Sequence, residues 1–254
     1  MRTIVGGGSN ANNYPNLTGY VPKIYDVAGG HTYTVPANCS KIYVLAFGAG
    51  GSGGYSSSQV GTGGGGGGFA AGFISVSGGQ NISINVGAGG APQTTNGQDG
   101  NAGGSTSVGN YMSATGGGGG KSAAFQNTDG GAGGAGSIDD TTNVASYVTA
   151  NGGRGGQWID DTSLGSYCLT GGGNSGSLLG DGGNGGDCMS GNGSGRMTSG
   201  GGGWGAGHAP TLVKWSTGDI DGGCGGPLNT GGVQQQYTAS QVKGRGTSML
   251  WKAS

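Results

Sequence analysis

The residues best suited to chemistry in this sequence form a short internal repeat of paired aspartates. Asp139-Asp140 and Asp160-Asp161 each follow an isoleucine and precede a threonine. Paired carboxylates beside hydroxyl groups could hold a hard cation such as Ca²⁺ through oxygen ligands. The same residue types are also typical of Asx-turns, in which a carboxylate accepts hydrogen bonds from nearby backbone N–H groups. The turn is the favoured interpretation, and we predict no metal site and no cofactor.

Motifs for nucleotide binding and catalysis are poorly represented. The stretch Thr115–Ser122 ends in Gly-Lys-Ser like a phosphate-binding loop, but it begins with Thr instead of Gly, and no helix is predicted to follow it. His31 and His208 are the histidines of the chain, and no Gly-x-Ser-x-Gly nucleophile elbow and no His-Glu-x-x-His motif is recognised. We therefore predict that the protein is not an enzyme.

Composition argues against several classes of partner. Charged residues make up 8% of the chain and the formal net charge is −1, so the clustered Lys and Arg that nucleic-acid phosphates require are missing. No stretch is apolar enough to span a membrane, and the N-terminus lacks a secretory signal core, which predicts cytoplasmic synthesis without membrane insertion. Cysteines lie far apart without a CxxC motif, which favours reduced thiols over disulfides or zinc.

Aromatic residues between the glycine runs are the strongest candidates for binding. They stand among Ser, Thr, Asn and Gly, a composition typical of adaptable binding loops. Each ring could instead fold back over the glycine layer as a lid, and both alternatives stay open. The full candidate set adds amide, charged and methionine side chains from the same segments: Tyr55, Gln59, Gln93, Asn96, Phe125, Trp158, Asp160, Asp161, Tyr167, Met189, Arg196 and Met197.

The segments that carry these residues are separated by glycine runs, of which Gly63–Gly68 is the longest, in a chain with 71 glycines. Such a composition usually indicates disorder, but the even spacing of the runs favours an ordered scaffold. Ordering glycine costs much entropy. Close packing in polyproline-II geometry, with about 3 residues per turn, could offset that cost. Gly63–Gly68 suits a rod that is buried on all sides, whereas Ala132 and Ala135, three residues apart, indicate an edge rod.

Apolar and alternating stretches predict β-strands at 32–35, 41–47, 73–76 and 81–86, and 108–114 could add another. The 41–47 run is apolar enough to be buried on both faces. The predicted fold is therefore all-β or irregular with no significant α-helix. It combines a small β-sheet base with a sandwich of packed polyglycine-II helices and connecting loops.

Four segments are predicted along the chain. Residues 1–30 are predicted to form an attachment arm that includes Tyr14 and Tyr25, with a frayed terminus as the open alternative. Residues 31–115 form the β base with the first glycine rods. Residues 116–232 form the rod body with variable loops. Residues 233–254 form a C-terminal strand or docking tail that contains Trp251.

If successive glycine runs are antiparallel, the connections between them alternate between two ends of the body. Both predicted β connections then fall at one end, which we expect to be the attachment end. The same alternation places further connections there, at 137–150, 177–179 and 208–221. The opposite end, which we expect to be the binding tip, receives the connections 55–62, 91–99, 121–129, 157–170 and 187–199.

Residues 32–90 contain TYTVPANCSKIYVLAFGAGGSGG and, after a further glycine run, GFISVSGGQNISINVGAGG. This passage resembles the glycine-rich domain of bacteriophage tail-fibre and receptor-binding proteins. The alternation of glycine runs with variable loops further resembles the tail-fibre tip adhesins of T-even-like phages, which are polyglycine-II sandwiches.

The resemblance implies a virion protein of the tail fibre, bound to a phage tail-fibre protein as a homotrimer or as a single copy on a trimeric fibre. Its loops would bind a host outer-membrane protein or surface glycan. The alternative is a self-assembling glycine-rich filament or virion component without a receptor. An ice-binding protein is disfavoured because the loops are long and uneven.

Overall fold

A computed structural model describes residues 17, 19–56, 60–123, 128–160, 170–190, 196–197, 220–221 and 247–253. These residues form β-strands and extended segments, and none of them is helical. In chain order the strands are β1 (Tyr20–Tyr25), β2 (Gly29–Thr34), β3 (Lys41–Phe47), β4 (Tyr55–Ser56), β5 (Val60–Gly61), β6 (Phe69–Ser75), β7 (Asn81–Val86), β8 (Thr106–Val108), β9 (Met112–Ala114), β10 (Ser122–Ala123), β11 (Gly136–Ile138), β12 (Val144–Ala150), β13 (Trp158–Asp160), β14 (Cys188–Ser190), β15 (Arg196–Met197), β16 (Ile220–Asp221) and β17 (Thr247–Ala253). The predicted all-β class is confirmed.

Two five-stranded antiparallel sheets enclose the main apolar core. One has the strand order β1-β17-β3-β6-β12, and the other has the order β11-β9-β8-β7-β2. Strand β7 buries every second residue, so that Ile82, Ile84 and Val86 face the core between the sheets. Strand β3 contributes to two clusters because Ile42 and the alternate residues face this core, while Tyr43 and its alternates face a second cluster on the opposite face. The prediction that 41–47 is buried on both faces is confirmed.

The other strand predictions differ from the structure mainly at their ends. Strands β3 and β7 have the predicted bounds, and β6 begins earlier than predicted, at Phe69. The segment 108–114 is not one strand but the hairpin of β8 and β9, with Gly109 at a φ of 51° in the turn. The C-terminal tail contains β17, which lies between β1 and β3 in the first sheet.

Beyond the sheets, the glycine runs form parallel and antiparallel rods whose hydrogen bonds recur at every third residue. The N–H groups of Gly48, Gly51 and Gly54 donate to the carbonyls of Gly68, Gly65 and Thr62 at 2.9, 3.0 and 3.0 Å. This step of three is the period of a polyglycine-II helix. The rods, as the term is used below, are 48–54, 62–68, 87–90, 100–105, 115–121, 130–136, 151–156, 170–176 and 181–187.

The rod 62–68 lies at the centre of the body, and all its residues are buried. Antiparallel to it runs 115–121, and parallel to it runs 130–136, whose Gly131 and Gly134 donate to the carbonyls of Gly63 and Gly66. Ala132 and Ala135 are exposed on the outer side of rod 130–136. The predictions of a fully buried rod and of an alanine-marked edge rod are both confirmed.

Candidate functional site

The end of the body away from the two sheets is assembled from segments that are distant in sequence. Tyr55 exchanges backbone hydrogen bonds with the 91–99 segment, since its N–H donates to Gln98 O at 3.0 Å and its carbonyl accepts from Gly97 N–H at 3.1 Å. Strand β4 also pairs with β16, and β5 pairs with β10. These short ladders join four separate parts of the chain into one surface.

A second group of segments lies at the same end. Thr128 and Trp158 exchange backbone hydrogen bonds of 3.0 and 2.9 Å. Strand β13 then pairs in parallel with β14, which pairs antiparallel with β15. We call the two groups together the loop end, which comprises residues 55–56, 60–61, 91–99, 121–123, 128–129, 157–160, 188–190, 196–197 and 220–221. The part built of the two five-stranded sheets is the sheet end.

The expected distribution of connections is largely confirmed. Hydrogen bonding shows the alternating rod directions, and the described residues of 55–62, 91–99, 121–129, 157–170 and 187–199 lie at the loop end. The placement of 208–221 was wrong for Ile220–Asp221, which pair with β4 at the loop end.

Two of the predicted binding aromatics are buried. Tyr55 is 9% exposed and Trp158 is 6% exposed, so both rings pack inwards, as the lid alternative has it. In segment 91–99, Asn96 is exposed and Gln93 is half-buried. Strands β13 to β15 contain four further candidates, Asp160, Met189, Arg196 and Met197. The remaining candidates, Gln59, Phe125, Asp161 and Tyr167, lie outside the described residues.

The indole nitrogen of Trp158 has an unusual environment. Its Nε1 atom is buried and has no hydrogen-bond partner in the part of the chain that the structure describes. An indole N–H can only donate a hydrogen bond, and most buried side-chain donors in native proteins have an acceptor. The indole N–H of Trp158 therefore lacks the acceptor that a buried donor in the loop end would normally have.

A bidentate ion pair joins the rods 151–156 and 181–187 just before the paired residues Trp158 and Cys188. Arg154 Nη1 and Nη2 donate to the two carboxylate oxygens of Asp187 at 2.8 and 3.0 Å, and Gln157 N–H donates to Asp187 Oδ1 at 3.0 Å. Burial alone would raise the pKa of Asp187, but the hydrogen bonds from Arg154 and Gln157 outweigh it and lower that pKa. Hydrogen bonding to Asp187 raises the pKa of Arg154.

The same two rods are joined by a ladder of side chains with a step of three. The N–H groups of residues 151, 154 and 157 donate to carboxylate or amide oxygens of residues 181, 184 and 187. The three bonds are Asn151 N to Asp181 Oδ1 at 2.7 Å, Arg154 N to Asn184 Oδ1 at 3.0 Å and Gln157 N to Asp187 Oδ1 at 3.0 Å. We call this the Asx ladder. The ladder is not among the sequence predictions. The spacing Asp-x-x-Asn-x-x-Asp, which repeats at the period of the rods, is the signal that could have predicted it.

A second ion pair fixes the 91–99 segment to its neighbour. Lys121 Nζ donates to Asp99 Oδ2 at 2.8 Å, and Ser122 N–H donates to Asp99 Oδ1 at 2.9 Å. Burial is the largest single effect and would raise the pKa of Asp99, but the hydrogen bonds from Lys121 and Ser122 and the charge of Lys121 together lower it. The carboxylate thereby holds two loops of the loop end together.

A family model described as a glycine-rich domain matches residues 26–249. The chain belongs to this glycine-rich domain family. No curated protein is similar enough in sequence to count as a relative. In the part of the chain that the structure describes, no helix has the length and apolarity needed to cross a bilayer.

In this glycine-rich domain, the first aspartate pair forms a turn at the sheet end. Asp140 Oδ1 accepts from the N–H groups of Thr142 and Asn143 at 3.0 and 3.1 Å, and Asn143 Nδ2 donates to Oδ2 at 2.7 Å. The Asx-turn interpretation of Asp140 is confirmed. Asp139 accepts from the Ser137 hydroxyl at 2.7 Å. Among the described residues, no group of three or more His, Cys, Asp or Glu side chains could hold a metal ion.

The sheet end of the glycine-rich domain carries the exposed large apolar residues of the described chain. Val21, Ile24 and Val27 lie on or directly after the edge strand β1, and Val27 is 67% exposed. Tyr147 of β12 and Leu179 are the others, and Leu179 follows Leu178, which packs against the apolar cluster of the first sheet. Of the predicted attachment residues, Tyr25 lies in β1 and Trp251 in β17, whereas Tyr14 lies outside the described residues.

Proposed function

We propose that this protein is a bacteriophage tail-fibre tip adhesin that attaches to its fibre through the sheet end and binds a host surface receptor through the loop end. The observation that carries the proposal is the difference between the two ends. Loops from distant parts of the chain converge at one end, and the exposed large apolar residues of the described chain lie at the other. Exposed apolar groups on an edge strand favour a protein partner.

The rod body suits this division of roles. Functional side chains on loops are held most accurately when a rigid scaffold supports the loops. Here the loops end in rods that hydrogen-bond to one another at every third residue. Loop sequences can therefore vary without a change in the scaffold, which is the property that a receptor-binding protein needs.

The phage origin is proposed from the resemblance of residues 32–90 to tail-fibre domains. It implies a virion protein that is made in the host cytoplasm, bound to a tail-fibre protein, and active through binding rather than catalysis. The receptor is an outer-membrane protein or a surface glycan.

Loop exchange tests the proposal. Residues 159–169 and 188–199 are replaced together by loops of equal length and different sequence, which keeps Trp158, Thr170 and Asp187 in place. Adsorption to the host is then measured with the assembled fibre. We expect the exchange to abolish adsorption and to leave the protein folded and attached to the fibre. Unchanged adsorption would contradict the adhesin.

Substitutions at the other end supply the matched experiment. Val21→Thr, Ile24→Thr and Val27→Thr in one variant keep β-branched residues but remove exposed apolar surface. We expect weaker attachment to the fibre protein, with binding of the isolated chain to cells unchanged. A loss of cell binding in this variant would argue against the assignment of the two ends.

The exposed edge strand β1 also favours one alternative, the self-assembling filament. An unpaired strand edge with apolar side chains can template pairing with another copy. Sedimentation of the purified chain discriminates between the two functions. Concentration-dependent polymers that the triple threonine variant abolishes would support the filament.

A further inference from the structure

We propose that the receptor of the loop end is a saccharide and that the Trp158 indole N–H donates a hydrogen bond to one of its oxygen atoms. This inference rests on the proposed adhesin function and specifies the chemistry of the ligand. The inference follows from the polarity of the described loop surface, from the unpaired indole N–H of Trp158 and from the Arg154–Asp187 ion pair that lies close to it along the chain.

The described surface of the loop end is polar. Segment 91–99 reads Ala-Pro-Gln-Thr-Thr-Asn-Gly-Gln-Asp, and its residues 94–99 are all exposed. The two aromatic rings with described side chains at this end, Tyr55 and Trp158, are buried. Protein partners bind chiefly through large aromatic or aliphatic anchors that enter pockets. Hydroxyl-rich ligands are recognised instead by amide, hydroxyl and carboxylate groups, which are the groups exposed here.

Trp158 indicates where the ligand binds. Its Nε1 atom is buried without an acceptor, and a buried unpaired donor is retained in native proteins mainly where function or a bound molecule explains it. The missing partner must be an acceptor, because the indole N–H cannot accept. A saccharide hydroxyl or ring oxygen meets this requirement, and so would a carbonyl or carboxylate oxygen of a protein. The polarity of the described loop surface is what favours the saccharide.

The neighbours of Trp158 fit the same ligand class. Trp158 pairs with Cys188 between the strands, and Gln157 donates its N–H to Asp187, the residue before Cys188. The Arg154–Asp187 pair therefore lies close to Trp158 along the paired backbones, and both of its side chains are 32% exposed. A planar guanidinium and a carboxylate at a partly exposed rim offer several hydrogen-bonding groups to adjacent hydroxyls.

Treated cells identify the receptor class. The purified full-length protein is bound to a panel of Gram-negative strains, and binding strains are then treated with periodate, which cleaves vicinal diols, or with protease. We expect periodate to abolish binding and protease to leave it intact. Polysaccharide extracted from a binding strain should compete with the cells.

Trp158→Phe tests whether the indole N–H of Trp158 binds the saccharide. The substitution removes the N–H and keeps an aromatic ring, and Trp251→Phe at the sheet end is the matched control. We expect Trp158→Phe to weaken binding to the extracted polysaccharide at least tenfold. Its unfolding temperature is measured as well, since the smaller ring leaves space at a buried site and lowers stability without any change in binding contacts. The control variant should keep wild-type affinity.

Other outcomes separate the two proposals. Binding that protease abolishes and periodate spares would identify a protein receptor and overturn the saccharide inference, while the adhesin stands. Binding to no strain, together with unchanged adsorption after loop exchange, would overturn both. A folded Trp158→Phe variant with wild-type affinity would show that the N–H does not bind the saccharide and would overturn the inference at this atom.

Discussion

At the scale of single residues, the close packing of the rods depends on the absence of a Cβ atom in glycine. A Cβ atom at Gly65 would lie 1.9 Å from the carbonyl oxygen of Ala132, and one at Gly66 would lie 1.9 Å from that of Asn174. These are backbone atoms of neighbouring rods, so no side-chain rotation can relieve the overlap. The high glycine content is therefore a packing requirement at the centre of the body.

Gly65→Ala should destabilise the protein strongly. Overpacking of a core usually costs about 1–3 kcal/mol, and we expect a loss of free energy of unfolding at or above the upper limit because two rods must separate. Urea unfolding at neutral pH measures the change. Gly30→Ala is the control, since nothing lies within 4 Å of a Cβ atom there. Equal stabilities of the two variants would contradict the packing of the rods.

Asp187 should make stability depend on pH. Its pKa is lowered in the folded protein, so its stabilising contribution is complete above the unfolded-state pKa of about 4 and is lost as the pH falls through the folded-state value. Asp187→Asn should flatten this acid loss. At pH 7 it should cost less than about 1 kcal/mol, because the ion pair is one-third exposed and screened by solvent.

Asp187→Ala separates the charge from the Asx ladder. It also removes the acceptor of Gln157 N–H, which Asn can supply, and should cost about 1 kcal/mol more than Asp187→Asn. Urea unfolding at pH 7 and pH 3 measures both effects. An Asn variant that keeps the wild-type acid loss, or an Ala variant as stable as the Asn variant, would argue against the described geometry.

At the scale of elements, strands could be predicted from sequence where the signal is local. Strand β7 alternates strictly and β3 is uniformly apolar, and the structure has both with the predicted bounds. The sequence predicts a connection at 137–150 and not strand β12. The Ser and Thr residues of β12 weaken its apolar signal, and a bulge separates Ala145 from Val148. Strand β1 contains Pro22 and exposed residues, and its partner β17 lies far along the chain.

Strand β17 should be essential to the first sheet. It pairs with β3 from Thr247 to Lys252 and with β1 on its other side, so its removal leaves two edges unpaired. A chain that ends at Gly246 should unfold at a lower temperature, aggregate more readily and be cut by trypsin at Lys23. Removal of Ser254 alone is the control. A truncated chain with the wild-type unfolding temperature would contradict this pairing.

At the scale of the whole molecule, the sequence predicts which connections form the candidate site but not how their side chains are oriented. Counting rods placed the described parts of five connections at the loop end, because alternation is a global property of the chain path. The orientation of single rings could not be predicted in the same way. Tyr55 and Trp158 have the residue types of exposed anchors, yet their burial depends on hydrogen-bonded neighbours from distant segments.

The packed body should protect its central amides from exchange. Gly65, Gly66 and Gly68 donate to carbonyls of two other rods, 115–121 and 151–156, so their amides should exchange only through opening of the body. Hydrogen exchange followed by mass spectrometry should show slow labelling of 62–68 and fast labelling of the exposed residues 94–96. Labelling of both segments at the rate of a denatured peptide would end the rod interpretation.

The Asx ladder has a consequence for how such a chain can change over evolutionary time. Asp181, Asn184 and Asp187 meet their partners only because they recur on one side of the rod. A single inserted residue would rotate all later positions by about a third of a turn and separate every subsequent pair. Rods can therefore grow or shrink in triplets, whereas the connections between them are free to accept any length.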